Sequence, residues 1–164
     1  MGENELIPNT IIIGERNYSA ALDLVIAEAK DELLIFDQDF VHGEFASVLR
    51  HDLLRNFLSE NPLSKLTIIL QNVEFFTTQC PRLYKLLETY SHKMLVYETN
   101  DHAKIAKDCF VLADKRHYLR RFHIDQARFK FALDDLETTA NLATRFEELL
   151  EETTDTVSVT KLGL

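Results

Sequence analysis

The sequence predicts an α/β fold with a mixed, largely parallel central sheet flanked by helices on both faces. Three observations carry that prediction. Short apolar runs alternate with segments of helical periodicity from Thr10 to Tyr97, the pattern of strands joined by helical crossovers. After Asp108 the alternation stops, and three strand-like runs follow one another with short connections. The length of 164 residues suits one domain with a sizeable core and is short for two.

Residues 1–9 are polar, end at Pro8-Asn9 and read as a loose tail. Thr10 to Ile13 is a β-branched run closed by Gly14, which fits a strand. Asn17 is placed to cap a helix carrying Leu22, Val25, Ile26 and Ala29 on one face. Leu33 to Phe36 is continuously apolar, as in a strand buried on both faces, and it ends at Asp37-Gln38-Asp39. A helix from about Phe45 to Ser59 has a broad apolar stripe, and Asn61-Pro62 ends it. Leu66 to Leu70 is the next buried strand. Pro81 opens a helix that buries Leu83, Leu86, Leu87 and Tyr90. Met94 to Tyr97 closes the alternating part. Cys109 to Ala113, Tyr118 to Phe122 and Ala127 to Leu133 follow as a meander. In the last of these, Phe129, Phe131 and Leu133 alternate with Arg128 and Lys130, giving one wet face near a sheet edge. Asp134 and Glu137 have capping-box spacing ahead of a helix that buries Leu142, Phe146, Leu149 and Leu150. From Thr153 the chain is polar again and reads as a flexible tail over 153–164.

Apolar residues make up 46% and charged residues 27%, as expected of a globular protein. The net charge of −9 opposes nucleic acid and anionic membrane, so nucleic-acid binding is not expected. Two cysteines, Cys80 and Cys109, are too few for a disulfide framework and lack metal-ligand spacing. A reduced, cytoplasmic protein is the simpler expectation. No apolar run approaches the roughly 20 residues of a membrane span, and the start lacks the features of a secretory signal. Charge is unevenly spread: Asp101 to Lys130 holds eight basic and four acidic residues, leaving a surplus of thirteen acids elsewhere. Such a dipole suits an anionic ligand or an acidic protein surface, and equally a merely solvated face.

The segments DELLIFDQDF, SKLTIILQN, CPRLYKLLETYS, DCFVLADKRHYLRR and NLATRFEELLEE together resemble one half of a phospholipase D-like, or HKD, protein. In particular they resemble a degenerate proteobacterial domain of that type, often found C-terminal to a GNAT-type acetyltransferase. The likeness spans roughly Ile11 to Glu152. The family signature is HxK, four residues, Asp, then about six residues and a Gly-Ser pair. A literal register uses His102 and Lys104, but Cys109 then stands where Asp is required. A second register takes Asp114 as the turn Asp, which puts Lys107 at the His position, Cys109 at the Lys position and Arg121-Phe122 at the Gly-Ser pair. The second agrees with the strand pattern and is preferred.

That resemblance implies a His nucleophile attacking phosphorus and a Lys stabilising the phosphoryl oxygens. In the preferred register both are missing. The expectation is therefore a non-catalytic binding or assembly module of the phospholipase D-like half-domain type, with no cofactor. The alternative is a phosphoryl-transfer enzyme using His102, Lys104 and Asp114. Lys107, Arg116, Arg120, Arg121, His123 and Arg128 are the candidate anion- or partner-binding residues. The family's two-halved architecture further implies a homodimer, meeting around Asp114 to His123 and the start of the last helix. An acetyltransferase is the protein partner the resemblance suggests.

His102, His117 and His123 invite a metal reading, but Arg121 lies between the last two on one strand face, and solvated strand-end histidines are expected instead. Asp37, Asp39 and His42 follow a strand at the end where α/β folds bind ligands. They suit acid/base work or Mg²⁺, or simply favourable charge before a helix. Cys80 beside Pro81 at a helix start has either a lowered pKa or an idle, buried thiol.

Overall fold

A computed structural model describes residues 6–157; of His102, Thr154 and Asp155 only the backbone is described. The chain runs β1 (Ile12–Ile13), α1 (Glu15–Glu28), β2 (Glu32–Asp37), α2 (Val48–Glu60), β3 (Lys65–Leu70), α3 (Glu74–Gln79), α4 (Pro81–Thr89), β4 (Met94–Thr99), a 3-10 helix (Asp101–Ile105), β5 (Cys109–Ala113), β6 (His117–His123), β7 (Gln126–Ala132), α5 (Leu136–Glu151) and β8 (Thr153–Thr156). All eight strands form one sheet, in the order β1-β7-β6-β5-β2-β3-β4-β8.

The sheet is mixed but mostly antiparallel, which corrects the largely parallel expectation. Only β2–β3 and β3–β4 pair in parallel. Those are the strands joined by helical crossovers. The meander β5-β6-β7 folds back so that β5 lies antiparallel to β2. β1, only two residues long, does not sit beside β2. It crosses to the far edge and pairs antiparallel with β7, Ile12 opposite Phe129.

The two faces of the sheet are covered differently. Alternate residues of β2 show it: Leu33 and Ile35 belong to one core, Leu34 and Phe36 to the other. Helices α1 to α4 cover the first face through Leu22, Val25, Leu54, Phe57, Phe76, Leu83 and Leu86. The second face is covered by α5, through Leu142, Phe146 and Leu149, with Ala103 of the 3-10 helix. Both faces do carry helices, but unequally.

Several local expectations shift. Helix α1 starts at Glu15 behind Gly14, whose φ of 114° is a glycine conformation; Asn17 is inside it and donates to the Ile13 carbonyl. Ser47, not Phe45, marks the start of α2, its hydroxyl accepting from the Arg50 amide. The cap of α5 is Asp135, accepting from Thr138, while Asp134 pairs with Arg116. The expected tails are partly structured: the Asn9 amide bonds to the Phe131 carbonyl, and Thr153–Thr156 pairs with β4. The remainder of those tails, residues 1–5 and 158–164, lies outside the described residues.

Candidate functional site

The carboxyl end of β2 and the adjoining ends of β5 and β6 gather a polar cluster beneath α1. Arg121 of β6 is fully buried. Its guanidinium makes a two-pronged contact with Glu15 of α1, both bonds 2.8 Å long. It also donates to the carbonyls of Ile124, at 2.9 Å, and His123, at 3.3 Å, and lies 4.8 Å from the Tyr18 ring centre. Glu15 is held below the usual carboxylate range by the Arg121 hydrogen bond, which outweighs its partial burial. His42 approaches the same carboxylate at 3.4 Å. A cavity of about 400 Å³, lined by Glu15, Arg16, Val41, His42, Gly43 and Glu44, opens beside the pair.

Inside that layer Cys109 and the Tyr18 hydroxyl are 3.3 Å apart, both buried. Burial pushes the Cys109 thiol and the Tyr18 phenol well above their ordinary pKa values. Asp37, the last residue of β2, is also buried, and desolvation raises its carboxyl to about 7 even though the Gln38 amide donates to it at 2.7 Å. The loop that closes the cluster is tightly specified. Phe40 and Glu44 hold positive φ angles, and a β-carbon on Gly43 would lie 2.6 Å from the Leu22 side chain. Arg50, also buried, ties the loop down by donating to the Gly43 carbonyl at 2.6 Å and to Asp23 at 2.7 Å.

The opposite face at the same end of the sheet has its own centre, Asp108. Arg145 of α5 and Arg120 of β6 both reach its carboxylate, Arg120 at 2.9 Å. Burial alone would raise this carboxyl, but hydrogen bonds and charge from Arg145 and Arg120 bring it below the ordinary value.

The residues expected from the sequence are distributed as follows. Asp114 and Lys115, both with positive φ, form the tight β5–β6 turn. The Asp114 carboxylate accepts the amides of Lys30, Asp31 and Glu32 at 2.8 to 3.0 Å, which pins the hairpin to the start of β2. Lys104 is exposed on the 3-10 helix and lies 3.6 Å from Asp101. All of β5 separates Asp114 from that helix, roughly 17 Å of strand. His102 is in the same helix; its side chain lies outside the described residues. Of the basic candidates, Arg121, Arg120 and Arg116 are engaged by Glu15, Asp108 and Asp134. Lys107 and Arg128 are exposed, and His123 is partly exposed.

His117 is buried rather than solvated: its Nδ1 accepts the Asp134 amide at 3.0 Å. His123 accepts the Asp125 amide at 3.2 Å. Among the described residues no three His, Cys, Asp or Glu side chains gather as a metal site would need. Cys80 is buried, which pushes its thiol up to about 11 rather than lowering it. Glu15 and Tyr18 had no signal in the sequence, because their partners lie 106 and 91 residues away.

No helix among the described residues is long and apolar enough to cross a membrane. No curated protein matches this sequence. Solved structures do match in fold. TrmBL2, an archaeal chromatin protein with a novel mode of DNA binding, aligns with a TM-score of 0.65 at 14% identity over 92% of this chain, which spans only 55% of that protein. Nuc of Salmonella typhimurium, a phospholipase D family member, aligns with a TM-score of 0.64 at 9% identity over 91% of this chain and 99% of that one. NucT from Helicobacter pylori aligns with a TM-score of 0.62 at 16% identity, over 88% and 96%. The fold is thus phospholipase D-like. Residues 15–162 match the family described as a domain of unknown function, DUF7931, and this chain belongs to that family.

Proposed function

We propose that this chain is a non-catalytic, cytoplasmic binding or assembly module on a phospholipase D-like scaffold. One observation carries the proposal. Where the resemblance places the catalytic Lys and the Gly-Ser pair, Cys109 and Arg121 are buried and already bonded to Tyr18 and Glu15. Glu15 supplies an anion from within the chain, and the Cys109 thiol stays protonated. A phosphoryl-transfer site needs an accessible nucleophile and cations with unfilled hydrogen-bonding capacity.

The test is turnover of a generic phosphodiester. No hydrolysis above the rate of buffer is expected from the full chain or from His102→Ala. Turnover that the substitution abolishes would overturn the proposal in favour of a site built on His102 and Lys104. We further propose that the module pairs with its own copy at the Asp114 turn and the start of α5, where Leu136 is 60% exposed. Light scattering at two salt concentrations checks this; a monomeric mass at tens of micromolar protein would refute it. The acetyltransferase partnership is checked by co-purification of the two proteins.

A further inference from the structure

Helix α5 packs on β4, β5 and β6, and on its side of the sheet the outer strands β7 and β1 extend beyond it. There the side chains opposite the α1 core are Ile11 and Ile13 beside β7, Arg128 and Lys130 on β7, and Phe122 on β6. Ile12 between the two isoleucines is buried against the first core, whereas Ile11 is 51% and Ile13 69% exposed. Ile13 pairs with Arg128, and Arg120 pairs with Lys130. The Arg128 and Arg120 guanidinium groups lie 6.0 Å and 5.4 Å from the Phe122 ring centre. The result is an open strip that mixes apolar side chains with cations. Arg120 borders the strip and is engaged by Asp108, but among the described residues neither Arg128 nor Lys130 makes an ion pair. The strip is three strands wide, about 10–14 Å at strand spacing, which is the diameter of one α-helix.

We propose that this strip docks an amphipathic, acidic α-helix from a partner protein. The partner's apolar stripe covers Ile11, Ile13 and Phe122, and carboxylates on its flank meet Arg128 and Lys130. Charge selects this occupant over two others. Nucleic acid would face a chain that is −9 overall, and the strip's one aromatic ring, Phe122, already has the Arg120 and Arg128 guanidinium groups beside it. A second copy docked strip to strip would set like cations against each other. The inference rests on the binding-module reading and names its partner class. The two are tested separately, since phosphodiester turnover would overturn that reading without touching the strip.

The experiment is selection of a displayed random library of helix-length peptides against the full chain, with affinities then measured for the full chain and for the double variant Ile13→Asp, Arg128→Glu. The enriched peptides should carry apolar residues at i, i+3, i+4 and i+7 with flanking Asp or Glu. They should lose about tenfold or more in affinity for the variant, equivalent to about 1.4 kcal/mol. Thermal melting by circular dichroism verifies that the variant keeps its fold; if it does not, Lys130→Glu with Ile11→Ser takes its place. The proposal is overturned by no enrichment, by basic or aperiodic peptides, or by binding that the variant leaves intact. It is equally overturned by oligothymidylate binding that the variant abolishes, or by a dimer that dissociates on Ile13→Asp.

Discussion

Asp37 and Asp108 are two buried aspartates at one end of the sheet, a few residues from each other across the β2–β5 pair, and their surroundings treat them oppositely. Asp37 faces α1, where the guanidinium that acts on it, Arg121, is already committed to Glu15. Asp108 faces α5 and receives two arginines, one from the helix and one from β6. Both lose water by burial. Asp37 is pushed up to about 7, whereas Asp108 ends below its ordinary value. Burial alone does not decide the charge of a carboxyl; it sets a cost that hydrogen bonds and committed cations offset.

The two carboxyls differ most in their response to pH. Asp37 has a raised folded-state pKa, so the folded chain binds its proton more tightly than the unfolded chain does. Its contribution to stability is fully present below about pH 4 and is lost as pH rises through about 7. A shift of that size corresponds to about 4 kcal/mol. Chemical unfolding from pH 4 to 8 should show this decline, and Asp37→Asn should remove most of it. A flat profile in the unmodified chain would mean that water reaches Asp37. Asp108 has the opposite sign: its contribution is present above its unfolded pKa and is lost as pH falls through the lower folded value.

Next in size is the removal of one side of the Arg121–Glu15 pair. Arg121 is wholly buried and Glu15 is half exposed, so the two partners are not equivalent. Glu15→Ala leaves a buried guanidinium short of an anion and is expected to cost about 3 kcal/mol. Arg121→Leu leaves Glu15 free to turn to water and should cost less. Equal losses in urea unfolding would refute the asymmetry. On the other face, Asp108→Asn should cost about 2 kcal/mol, because Arg120 and Arg145 are both partly exposed and can rehydrate.

How far the sequence reveals these regions depends on distance along the chain. The short apolar strands, the meander and the buried face of α5 follow from local periodicity, and the Asp114 turn from its place between β5 and β6. The order of the sheet does not. Nothing in Ile12-Ile13 says that it pairs with Phe129 rather than lying beside β2, since register across 117 residues leaves no local pattern. Thr153 to Thr156 is polar and looks like tail until β4 supplies its partner. Helix α3, a six-residue element, is too short for periodicity to show. The basic stretch is visible as composition, but its strongest charges are committed to Glu15, Asp108 and Asp134, contacts that composition cannot display.

The smallest expected effect separates the two faces most cleanly. Ile12 and Ile13 are neighbours of the same chemistry on a two-residue strand, pointing to opposite sides. Ile12 packs in the α1-side core, so Ile12→Ala should cost about 2–3 kcal/mol, toward the low end for core truncation because it sits at an edge. Ile13 is 69% exposed beside Arg128 and packs against neither core, so Ile13→Ser should shift stability by no more than about 0.5 kcal/mol. Urea unfolding of the two variants at one pH measures the difference directly. Comparable losses would mean that the open strip is packed in the isolated chain. A large loss at Ile12 alone leaves Ile13 as apolar surface that stability does not require, and that a docking partner can use.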